Sequence, residues 1–132
     1  MKLFDTTLNL LSRSLDVRLE RHNVLSSDLA NAETPNYAPR DVDFKAAMQQ
    51  ATLELETQAR AQETGLPVAS PGPTPELVGP AAGAAAGLDG NKVDSDHVLV
   101  ALGENGLQYS ASARAAGKKL AILRYVASDG NG

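Results

Sequence analysis

The densest group of chemically capable side chains is Asp94-Ser95-Asp96-His97. Two carboxylates and an imidazole so close together are donors for a divalent cation. The same residues have a structural reading. Asp94 or Ser95 can cap the free amides of a helix, and acids favour its N-terminal end. An apolar-periodic run begins at Val98, so the capping reading is preferred. His22 lies on a helix stripe, where a packed or interface histidine is expected rather than a catalytic one. Arg114, Lys118 and Lys119 read as a solvated helix face, or as a partner for an acidic neighbour. Tyr37 and Tyr109 read as packing residues. No strand pattern precedes a Ser/His/Asp set or a glycine-rich loop, so neither nucleophilic nor phosphate chemistry finds a frame. The expectation is a protein with no catalytic residue, no metal and no cofactor.

Composition narrows the classes further. The chain has 132 residues, 12 Lys+Arg against 16 Asp+Glu, no Cys, no Trp, two Phe and three Tyr. Without cysteine there is no disulfide framework, thiolate nucleophile or Cys-based zinc site. The acidic balance argues against a nucleic-acid binder, which needs a basic face. No apolar run approaches the roughly 20 residues that span a bilayer. Met1-Lys2-Leu3-Phe4-Asp5-Thr6-Thr7-Leu8 puts an acid and hydroxyls where a signal peptide needs an apolar stretch. The expectation is a cytosolic chain, or one exported by a route that reads no such signal.

Elements must then position what is left. Residues 1–34 read as one long helix with a stripe at Phe4, Leu8, Leu11, Leu15, Leu25 and Leu29, closed by Ala32. Alternate spacings of four and three mark a coiled-coil seam, interrupted at Arg18 and His22. A second row, Leu3, Leu10, Val17 and Val24, repeats every seven residues beside it. Residues 35–92 read as irregular. They open on the turn Thr34-Pro35-Asn36-Tyr37, hold a possible short helix from Val42 to about Ala61, and continue as a flexible linker. Five of the seven prolines and six of the eleven glycines fall between Gly65 and Gly90, a composition with little to bury. Residues 93–128 read as a second long helix, and 129–132 as a tail. Its seam runs Val98, Leu102, Asn105, Tyr109, Ser112, Ala116, Leu120 and Leu123. Gly103, Gly106 and Gly117 each cost this helix about 1 kcal/mol relative to Ala; close helix packing is the reading that accommodates them.

The fold class is therefore mainly α: long terminal helices in a coiled-coil-like hairpin around an irregular, partly disordered middle. Such a thin hairpin leaves its outer faces uncovered and is marginal alone. Many copies packed side by side remove that deficit. The alternative is a soluble helical adaptor or regulator that grips one partner through its leucine stripe.

Ala30-Asn31-Ala32-Glu33-Thr34-Pro35-Asn36-Tyr37 resembles the motif that ends the first helix of bacterial flagellar rod, hook and hook-associated proteins. Arg40-Asp41-Val42-Asp43-Phe44 is most similar to the proximal rod subunits. So is Asp89-Gly90-Asn91-Lys92-Val93-Asp94, with Asn105 and Tyr109 beyond it. Two positions depart from the family: Asp28 stands where Asn is usual, and Asn36 where Gly is usual. Asn also visits left-handed geometry.

The resemblance implies a structural subunit of the flagellar basal-body rod, exported through the flagellar type III gate. Its terminal helices would coil together in a tubular driveshaft that transmits torque, encloses the export channel and is needed for motility. The implied partners are further copies, other rod subunits, the MS-ring junction protein FliE and the export gate. Neither nucleic acid nor a membrane span is implied. The implied location is the periplasm-spanning rod.

Overall fold

The computed structural model describes residues 2–65, 77–82 and 92–128, with side chains from Thr6 onward. Five elements follow one another: α1 (Lys2–Ala30), β1 (Arg40–Val42), α2 (Phe44–Thr64), β2 (Val78–Pro80) and α3 (Ser95–Ala127). The chain is mainly helical, with long N- and C-terminal helices packed together. At 1.5 Å per residue α1 is about 44 Å long and α3 about 50 Å.

α1 is the central element, because its two apolar rows face different neighbours. Leu25 packs with Val98 and Ala101, and Leu29, Val93 and Leu102 join them at the α1–α3 contact. On the other side Val17 and Val24 pack with Val42 and Ala47, flanked by Phe44, Leu77 and Val78. Leu25 and Leu29 of the seam thus meet α3, and Val17 and Val24 of the second row meet the middle of the chain. Leu25 lies against Val98 while Arg18 reaches Asn105, so the two long helices run antiparallel.

The middle is more ordered than its composition suggests. β1 and β2 pair antiparallel, with Arg40 opposite Pro80, Asp41 opposite Gly79 and Val42 opposite Val78. The Asp43 amide donates to Leu77 O at 2.9 Å and the Ala81 amide to Pro39 O at 3.0 Å. Three-residue strands carry no readable alternation, which is why β2 is invisible in a Pro/Gly-rich stretch. α2 lies two to three residues further along than the helix expected from Val42 to about Ala61. The Asp43 side chain caps its start by accepting from the Ala46 amide at 2.9 Å. Gly65, at φ 67°, ends it in left-handed geometry, its amide bonding Ala61 O. Apart from Gly65 and 77–82, the expected linker lies outside the described residues. Gly90, Asn91 and the 129–132 tail do too.

Close packing at the α3 glycines is not realised among the described residues. A Cβ built on Gly103, Gly106 or Gly117 would meet nothing within 4 Å. Around them Leu99, Val100, Leu107, Leu120, Ile122, Tyr125 and Val126 stand exposed. Among the described residues no helix is long and apolar enough to cross a membrane.

Candidate assembly site

Three polar constructions tie α1 to its neighbours. The first lies where both seams break. Asn105 is 1% exposed, and its Nδ2 donates to Arg18 O at 2.8 Å. The Arg18 guanidinium donates through Nη1 to Gln108 Oε1 and lies 4.1 Å from the centre of the Phe44 ring, a cation–π contact. Gln108 Nε2 in turn donates to Glu104 Oε1 at 3.3 Å. One arginine of α1 thus touches both α2 and α3. Burial, then the neighbouring Arg21 charge, lowers its pKa against the opposing pull of Glu104.

The second construction joins α1 to β1. Arg21 grips Asp41 with both prongs, Nε to Oδ1 at 2.7 Å and Nη2 to Oδ2 at 2.8 Å. The Val42 amide adds a 2.7 Å bond to Oδ1. Burial opposes the Asp41 charge. The hydrogen bonds from Arg21 and Val42, with the charges of Arg21 and His97, outweigh it and hold the carboxyl below its usual range. The bond to Asp41 likewise raises the Arg21 pKa.

The third is the Thr34–Tyr37 turn. The Tyr37 amide donates to Thr34 O at 3.3 Å, Pro35 holds the first central position, and Asn36 sits at φ 62° in the second. A type II turn makes these demands. Asn31 Nδ2 donates to Ser27 O at 2.8 Å, and Thr34 Oγ1 donates to Asn31 Oδ1 at 3.2 Å. The turn returns Tyr37 to the helix end. Its hydroxyl donates to Asp28 Oδ1 at 3.0 Å, and the Arg40 amide donates to Asp28 Oδ2 at 2.9 Å. Asp28, 1% exposed, therefore has a donor on each oxygen despite its unfavourable end of the helix dipole.

The remaining expected positions divide. Leu25, Val98, Leu29, Leu102 and Val93 meet at the α1–α3 contact. Leu8, Leu11, Leu15, Ser112, Ala116 and Leu123 are half-buried, whereas Tyr109 and Leu120 are exposed. A straight helix drifts about 20° per heptad against a strict seven-residue repeat, so Lys119 becomes half-buried while Leu120 turns outward. The Phe4 side chain lies outside the described residues. Ala30 and His22 are exposed and Ala32 is half-buried, so His22 is not packed within the chain. Asp94 acts as the helix cap, its Oδ1 accepting from the Asp96 and His97 amides at 3.1 Å each. The described residues contain no group of three or more His, Asp or Glu arranged to hold a metal. Arg21 and Gln108 carried no signal in the sequence; Arg18 and Asp28 were visible only as breaks in a pattern.

No family model matches the chain. Curated relatives do. The flagellar basal body rod protein FlgB of Escherichia coli K12 is 32% identical over 135 residues, covering 96% of each chain. The protein of the same name from Cereibacter sphaeroides ATCC 17029 is 35% identical over 114 residues, covering 83% of this chain and 84% of its own. That of Salmonella typhimurium LT2 is 26% identical with 96% of each covered. With identity above 30% sustained almost end to end, the chain belongs to the FlgB family of flagellar basal-body rod proteins.

Proposed function

We propose that the chain is a non-enzymatic structural subunit of the proximal flagellar rod. Helices α1 and α3 pack beside those of neighbouring subunits into a tube that encloses the export channel and carries torque. The subunit reaches its place in the periplasm-spanning rod through the flagellar type III export gate. Its neighbours are other copies, other rod subunits and the MS-ring junction protein FliE, and motility depends on it. Neither nucleic acid nor a direct membrane span belongs to this reading.

The observation that carries the reading is the outer side of α3. Leu99, Val100, Leu107 and Leu120 stand open on a helix whose only partner element among the described residues is α1, in a chain whose relatives are named as rod proteins. A lone hairpin has no use for that surface; a tube of parallel hairpins covers it. Deletion of the gene in its host tests the proposal. Cells without filaments, restored by a plasmid copy, are expected. Swimming deletion cells would overturn it.

A further inference from the structure

The side of α3 turned from α1 carries a second ordered row. Leu107 follows buried Asn105 by two residues, about 200° around the helix. Val100, Leu107 and Tyr125 are 69%, 75% and 59% exposed. With Glu104, Ala111, Arg114, Lys118 and Ala121 they repeat at alternate spacings of four and three, the pattern of a coiled-coil seam. All eight are exposed, and Gly103 at the edge of the row leaves room for a second backbone to come close.

We infer that this face pairs antiparallel with the same face of a second copy, about a twofold axis passing near position 109. Charge selects both the occupant and the direction. Asp94, Asp96 and Glu104 lie in the first half of α3, and Arg114, Lys118 and Arg124 in the second. An antiparallel pair lays each acidic half on a basic half. A parallel pair sets Arg114 and Lys118 beside their own copies, which charge repulsion opposes. In the antiparallel register that places Glu104 against Arg114 of the second copy, Leu107 meets Ala111 and the Lys118 stem covers Val100. Each of these pairs is equidistant from position 109, so one register satisfies them all. Glu104 Oε1 already accepts from Gln108, and its carboxylate also feels Arg18 and Arg21 of α1; Oε2 is the oxygen that meets Arg114.

The contact is isologous and closes at two copies. A dyad-related pair cannot be extended into a polar tube. This dimer is therefore a soluble form that must separate before α3 joins a rod, and the inference stands whether or not the rod reading does.

Sedimentation equilibrium on the full chain tests it, with helicity followed by circular dichroism. A monomer–dimer equilibrium with no larger species is expected. Glu104→Arg or Arg114→Glu alone should weaken the dimer by about tenfold or more, and the double reversal should restore it. Should a single reversal lower helicity, cysteine variants replace it, the chain having no cysteine of its own. A mixture of Leu107→Cys and Ala111→Cys chains should then cross-link faster on oxidation than either alone. A persistent monomer, open-ended growth with concentration, or a double reversal that fails to restore pairing would overturn the inference. Complementation of a deletion strain by the double-reversal gene reads the rod function separately.

Discussion

Asn105 and Arg18 stand 87 positions apart, yet the Asn105 amide donates to the Arg18 main-chain carbonyl at 2.8 Å inside the α1–α3 contact. Both residues break an apolar seam. Asn105 Oδ1 and Arg18 Nε find no hydrogen-bond partner among the described residues, so the pair costs stability that a leucine would return. What it supplies is alignment, because only one offset brings the amide to that carbonyl. Asn105→Leu is therefore expected to leave the melting temperature unchanged or higher while loosening the register. Spin-label distances between α1 and α3 should broaden or split in the variant and stay narrow in the parent.

Tyr37→Phe tests the closure of the turn on α1. The variant keeps the ring and removes the donor to Asp28 Oδ1, leaving a buried carboxylate oxygen short of a partner. The expected loss is about 1–3 kcal/mol in denaturant unfolding. Asp28→Asn should cost less, since an amide oxygen still accepts at that position.

Acid should open the Arg21–Asp41 grip. Folding holds the Asp41 pKa below its unfolded value, so the folded chain binds fewer protons. The grip contributes fully above the unfolded pKa of about 4, and its contribution disappears as pH falls through the lower folded value. Asp41→Asn should flatten the acid limb of a stability-versus-pH curve. An unchanged acid limb in that variant would show that the grip plays no part.

The two long helices and the turn were legible because each rests on local rules. A seam repeats along the chain, Pro35 and Asn36 suit one turn type, and Asp94 precedes an apolar run. Even the rows on α1 could be separated by their spacing, although only packing reveals that Val17 and Val24 face the middle while Leu25 faces α3. The β1–β2 pairing was illegible, since three-residue strands joined across a long interval leave no periodicity. The polar ties were half-visible. Arg18 and Asp28 appeared as irregularities, and their partners Gln108, Tyr37 and Arg40 could be assigned only in three dimensions.

Leu120 separates folding from assembly better than any other seam position. It is 55% exposed, so Leu120→Asp buries no charge within the chain and should leave helicity within a few per cent of the parent. In a tube of packed helices the same aspartate meets an apolar neighbour without a counter-charge, at a cost of several kcal/mol. Export should continue, because nothing in the folded hairpin has changed. The expected phenotype is an exported, helical protein in cells that build no filament, read by circular dichroism, immunoblot of the exported fraction and electron microscopy. Leu11→Asp is the contrasting variant. Leu11 is half-buried in the chain, so its loss should lower helicity as well as block assembly. Filaments on Leu120→Asp cells would remove Leu120 from the assembly seam.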